Sequence, residues 1–160
     1  MEQTVAKNDP DPKALACYGL LLPDLAATPQ VWLRFLAGRP VSAATTAFLA
    51  WGCAERAAAQ KTALLLVWDN ASWHLSKDVR RWLQAHNRTV KAKQAGVRIV
   101  SCFLPTKSPW LNPIEPRWVH GKRRVAEPAR RLTAAEVMTR VYDAFDCEHH
   151  DQLSIPEQAA

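Results

Sequence analysis

No run of apolar residues in this 160-residue chain approaches the roughly 20 needed to cross a bilayer, so a membrane-spanning role is not expected. The opening stretch, Met1 to Pro12, is polar and acidic, with neither the basic start nor the apolar centre of a secretory signal, and a cytoplasmic location is the expectation. Cysteine is sparse. Cys17, Cys53, Cys102 and Cys147 stand far apart, with no CxxC pair and no Cys/His spacing that suits zinc. That argues against a disulfide framework and for reduced, mostly buried thiols. Internal repeats and low-complexity tracts are absent, and 48% apolar residues with seven tryptophans exclude wholesale disorder. A chain of this length buries roughly 70% of its unfolded surface, enough for one domain with its own core.

Acidic residues are scarce in one segment only. Residues 1–75 balance six Lys/Arg against six Asp/Glu, residues 76–131 set fourteen against three, and residues 132–160 carry one against six. A concentrated basic block suits a binder of phosphate backbones, because each neutralised phosphate releases counterions. A solvated basic face is the plainer alternative.

Taken in order, ALACYGLLL (14–22) and QVWLRFL (30–36) read as strands, and the PDLAATP between them as the loop of a hairpin. Ser42 is the expected N-cap of a helix to about Gln60, with Ala47, Ala50, Trp51, Ala54 and Ala58 as its small-residue face. Leu64 to Trp68 is apolar throughout and predicts a central strand buried on both faces. Leu75, Val79, Trp82, Leu83 and His86 mark a helix ending near Asn87, followed by a basic connector to Gly96 and a strand over residues 97–104. Prolines 105, 109, 113 and 116 force an irregular loop, after which a helix runs to about Arg124. Thr133 and Glu136 form a capping box for a last helix. The class is a mixed α/β layer design.

Two carboxylates carry the chemistry. Asp69 follows the apolar strand at its carboxyl end, where open α/β sheets place ligands, and Glu115 lies in the proline-rich loop. Asp69 with Asn70 also fits an Asx turn leading into the next helix. With Asn112 as N-cap and Pro113 at N1, Glu115 falls at N3, which favours glutamate for local reasons, although Pro116 sits awkwardly there. Asn70 and His74 suit orienting Asp69, and an ordinary structural histidine is the alternative for His74. Lys107, Arg117, Lys122, Arg123 and Arg124 surround the Glu115 block and suit phosphates, while Trp73 and Trp110 suit either base stacking or ordinary packing.

WDNASWH followed by SPWLNPIEPRW resembles the DDE transposases of bacterial insertion sequences in the mariner superfamily. Their signature is an Asp-Asn-x-x-x-His block and a later Ser-Pro-x-Leu-Asn-Pro-Ile-Glu block. Asp69, Asn70 and His74 match the first, and Ser108, Pro109, Leu111, Asn112, Pro113, Ile114 and Glu115 the second. The likeness extends over roughly residues 14 to 125. It implies a ribonuclease-H-like (retroviral-integrase-like) mixed sheet flanked by helices. It also implies that Asp69 is the second catalytic Asp and Glu115 the final acid, both ligands of two Mg²⁺ (or Mn²⁺) ions, and that Asn70, His74 and Asn112 support them. DNA, as transposon ends and target, is the implied partner, and a nucleoid-associated location follows.

The same resemblance places a first catalytic Asp on an earlier strand, behind a helix-turn-helix region. ALACYGLLL and QVWLRFL match the second and third strands, so the expectation is an N-terminally truncated chain lacking the first. The expected parts are a linker or tail over 1–13, a partial catalytic domain over 14–147 and an acidic tail over 148–160. Such a fragment would be inactive by itself, in need of an upstream transposase half or a full-length transposase, with oligomerisation open. Two alternatives stand beside it. One is a non-catalytic DNA-binding or assembly fragment; the other is a related nuclease in which Asp9 or Asp11 replaces the missing acid.

Overall fold

The structure is a computed structural model, and residues 15–126, 130 and 132–155 are described. The expected tail, with Asp9 and Asp11, lies outside the described residues. Among the described residues, two strand pairs, five α-helices and a 3-10 turn form two compact units, taken here in turn.

In the first unit, β1 (Leu15–Leu22) and β2 (Gln30–Ala37) form the expected hairpin, antiparallel, with Leu15 opposite Ala37 and Leu22 opposite Gln30. Strict alternation sends Val31, Leu33 and Phe35 to one face, where they pack with Tyr142. The helices of this unit are α4 (Glu115–Val125) and α5 (Ala134–Phe145). Trp118 from α4 and Met138, Val141 and Phe145 from α5 pack on that core, and Tyr142 meets Phe35 edge to face at 5.2 Å. Two glycines permit the closest approaches: a Cβ on Gly19 would lie 2.7 Å from the Trp118 ring, and one on Gly121 would run into Phe145. The capping box forms as expected: Thr133 Oγ1 accepts from the Glu136 amide and Glu136 accepts from the Thr133 amide.

Helix α4 starts differently from the expectation. Glu115 is its first residue, Ile114 is the N-cap, and Asn112 ends a 3-10 turn (Pro109–Leu111) instead of capping the helix. The physical reason is Pro116. At the second helical position its missing amide is one that no helix bonds internally, whereas two positions later it would break the ladder.

The second unit holds α1 (Ser42–Ala58), β3 (Ala63–Trp68), the short α2 (Ser72–Leu75), α3 (Lys77–Lys93) and β4 (Arg98–Phe103). β3 and β4 run parallel, Ala63 opposite Arg98 and Trp68 opposite Phe103, and do not pair with the hairpin. Leu64, Leu66, Trp68 and Ile99 make the buried face, but Leu65 is 67% exposed and Val67 and Val100 are exposed with it. The strand is thus buried on one face, not two. Apolar character was uniform along it, so periodicity carried no sign of which face was covered.

Three further expectations are corrected here. The covered face of α1 is Ala44, Thr45, Phe48, Leu49, Gly52, Cys53 and Arg56, while Ala50, Ala54 and Ala58 are exposed. Burying Phe48 and Leu49 removes far more apolar surface than burying alanines, which sets the helix phase. Val41, not Ser42, is the N-cap, and Ser42 Oγ instead bonds Ser76 Oγ at 2.8 Å. Finally, α3 continues past Asn87 to Lys93 and closes on Gln94 in the left-handed region, because RTVKAK contains no breaker. Asn87 is an interior clamp: its Nδ2 donates to the Ile99 carbonyl at 2.8 Å and its Oδ1 accepts the Ile99 amide at 2.9 Å.

Candidate active site

The Asp69 turn is built from the end of β3 outward. The Leu104 amide donates to the Trp68 carbonyl at 2.9 Å, which continues the parallel ladder to the last residue before Asp69. Asn70 Nδ2 then donates to the Leu104 carbonyl at 2.7 Å and ties the turn to the end of β4. Asn70 therefore holds the loop rather than the carboxylate. Asp69 Oδ1 accepts the Ala71 amide at 3.0 Å, which is the Asx turn, and also lies 2.9 Å from His74 Nδ1. An ionised carboxylate can only accept, so Nδ1 is the donor of that second bond. The Asx turn and the His74 contact converge on one oxygen.

His74 is itself held. Its ring stacks on Trp68 at 4.8 Å and meets Trp73 edge-on at 5.9 Å. Trp68 stacks in turn on Phe103 at 5.1 Å, and its indole nitrogen donates to Ser101 Oγ at 2.9 Å. The chain of support runs from β4 through Trp68 and His74 to Asp69. Trp68, Ser101 and Phe103 were not among the residues singled out from sequence; the only signal for Trp68 was its place directly before the acid. Ser76 was also missed. Its hydroxyl accepts the Val79 amide and so starts α3 one residue after α2 ends.

Asp69 keeps 45% of its side chain exposed while Oδ1 is fixed, an arrangement that leaves Oδ2 as a hard oxygen donor for a divalent ion. Glu115 is half-buried at the first turn of α4, where the helix dipole favours an acid for local reasons as well. Asp69 belongs to the second unit and Glu115 to the first. Among the described residues, no three His, Cys, Asp or Glu side chains form a group that would hold a metal ion.

The expected phosphate-binding cations are all exposed. Lys107 sits in the Pro105–Ser108 turn with φ +61°, a left-handed conformation uncommon for any residue other than glycine. Arg117, Lys122, Arg123 and Arg124 lie on α4, and Arg124 donates to the Ala144 carbonyl at 3.1 Å, so its guanidinium is partly committed to the end of α5. Trp110 is 74% exposed and Trp73 half-buried against His74, so packing accounts for Trp73 and not for Trp110. No described helix is long and apolar enough to cross a membrane.

Compared with known families, residues 38–138 match the one described as DDE superfamily endonuclease, a span from just before α1 into the first turns of α5. No curated protein and no solved structure matches the chain.

Proposed function

Because this chain belongs to the DDE superfamily endonucleases, we propose that it is the catalytic portion of a mariner-superfamily transposase of a bacterial insertion sequence, acting on transposon ends and target DNA. The observation that carries the reading is Asp69 at the carboxyl end of β3, with one oxygen fixed by Ala71 and His74 and the side chain still open to a ligand. Asp69 and Glu115 would hold Mg²⁺ or Mn²⁺, since both offer the hard oxygen such ions select. Two such ions, when bound, supply activation of the attacking oxygen and stabilisation of the leaving one. His74 and Asn70 are positioning residues: His74 fixes the Asp69 rotamer, and Asn70 fixes the turn that carries it. The fold we propose is ribonuclease-H-like, a class that combines an antiparallel hairpin with a parallel pair joined through helices; here each pair is a two-stranded sheet of its own.

The family chemistry takes three carboxylates, of which Asp69 and Glu115 would supply two. The third would come from an upstream transposase half or a full-length transposase, and the chain alone would cleave DNA little or not at all. A cytoplasmic, nucleoid-associated location goes with this reading. The exposed Lys107, Arg117, Lys122 and Arg123 favour a second one, a non-catalytic DNA-binding or assembly fragment. Plasmid nicking with Mg²⁺ or Mn²⁺ tests both. The expected result is no nicking by the chain alone, together with Mn²⁺ binding that weakens in Asp69→Ala. Robust nicking abolished by both Asp69→Ala and Glu115→Ala would show that this chain is a complete enzyme. Mn²⁺ binding unaffected by Asp69→Ala would leave only the assembly reading.

A further inference from the structure

We propose that the outer face of α3 is a second nucleic-acid surface, one that grips the phosphate backbone of duplex DNA without reading its sequence. The proposal rests on the DNA-directed reading above but involves none of its site residues. Six Lys/Arg lie on this helix against one acid, Asp78. Four of them, Lys77, Arg81, Arg88 and Lys91, recur with Gln84 at steps of four and three, so all five fall within an arc of about 80°. All five are exposed. The opposite side of the helix is the packed one. Val79 is fully buried there and His86 Nε2 contacts the Val97 carbonyl at 2.8 Å, while Asn87, on the flank between the two sides, clamps Ile99 through two bonds. The rotational phase of α3 is therefore fixed, and the cationic stripe is held outward along about 21 Å.

Helix stability does not account for these charges. Cations favour the last turn of a helix, which explains Lys91 and Lys93, but Lys77, Arg80 and Arg81 stand at the positive end of the dipole. Lys77 and Arg81, and Arg88 and Lys91, are also like-charged neighbours at helical spacing, an arrangement that opposes the helix. Only Asp78 offsets them, 3.6 Å from Arg81 and itself exposed. A polyanion facing the stripe would reverse both penalties. Its aromatic neighbour Trp82 is stacked on His86 on the packed side at 5.0 Å, so the stripe offers no platform for unstacked bases. What remains is a row of point charges, suited to the regular phosphates of an intact duplex.

The test is the salt dependence of duplex binding by the full chain, followed by fluorescence anisotropy on two duplexes of unrelated sequence between 50 and 200 mM salt, roughly the range over which such contacts are lost. Replacing Lys77, Arg81, Arg88 and Lys91 together by Gln is expected to make the slope of log K against log salt shallower by about 3 to 4, equally on both duplexes. Arg81→Gln with Arg88→Gln is expected to give about half of that, and exchange of Lys and Arg at the four positions to leave the slope in place. If the wild-type chain binds with a steep slope that the fourfold variant keeps, the stripe is a solvated face and the DNA-directed reading survives. A wild-type chain that does not bind duplex at low salt would overturn both. Loss of binding to phosphatidylserine vesicles, with duplex binding unchanged, would assign the stripe to a membrane surface and overturn it too.

Discussion

Alanine in place of Gly121 sets two known effects against each other. In an open helix interior the change is stabilising by about 1 kcal/mol, because alanine loses less backbone freedom. At this position the added Cβ would fall against Phe145 Cε2 and lie 2.8 Å from its Cζ, where carbon atoms ordinarily stand about 3.5 to 4.0 Å apart. The ring would have to withdraw by about 1 Å. The ring also packs beside Trp118 of the same helix as Gly121, at a centroid distance of 5.1 Å, and Trp118 is itself packed on Gly19. Overpacking costs about 1 to 3 kcal/mol, and an approach this close belongs to the upper part of that range, about 2 to 3, so after the gain from alanine the expected net loss is about 1 to 2 kcal/mol. In a chain of this size that lowers Tm by roughly 2 to 8 °C in a thermal melt followed by circular dichroism. A rise in Tm would refute the reasoning, since it would mean that α4 and α5 do not meet as described. The same substitution in a Phe145→Ala background should regain most of its loss, a coupling that isolates the contact. Glu115 begins the helix in question, so the packing under Gly121 also bears on where that acid is held.

Two other outcomes follow from shifted titrations. Burial pushes the thiols up, Cys17 to about 12 with the nearby Cys147 adding to it, and Cys53 and Cys147 to about 11. At pH 8 their thiolate fractions should be about 100 to 1000 times below that of an ordinary thiol, so alkylation mapped by mass spectrometry should find the exposed Cys102 first; early labelling of Cys17 would contradict its burial. Glu136 is held down to about 2, first by the hydrogen bond from Arg130 and then by the Thr133 amide. A depressed carboxylate stabilises the folded state above its unfolded value and loses that contribution as pH falls through its folded one. Acid titration should therefore loosen α5 between about pH 4.5 and 2, and Glu136→Gln should flatten that limb of the curve.

The elements legible in the sequence are those whose signal is local. A short apolar run ending at Pro23 marked β1, alternation marked β2, the Thr133 and Glu136 pair marked the start of α5, and the Asp69 turn followed from Asp-Asn after an apolar strand. The illegible parts depend on what lies opposite. Leu65 and Val67 read as buried because they are apolar, yet exposure is decided by whether anything covers that side of the sheet. The face of α1 was misjudged because apolar residues nearly encircle it, leaving size rather than periodicity to choose. At the candidate site, the sequence named Asp69, Asn70 and His74 together, but not that Asn70 bonds to Leu104 while a Trp68–Phe103 stack carries His74. Leu104 and Phe103 lie over thirty positions away from the turn they steady, beyond any local pattern.

The clamp made by Asn87 has a consequence for the parallel strand pair itself. The Thr62 and Trp68 carbonyls accept from Arg98 and Leu104, so the amides of Leu65 and Val67 point away from β4, along the outer margin of β3. On the far side of β4, both polar groups of Ile99 are already taken by one amide side chain. One margin of the ribbon is stoppered near its beginning, and on the other no strand among the described residues pairs with β3. The pair has a direction of growth, and a single asparagine in α3 sets it.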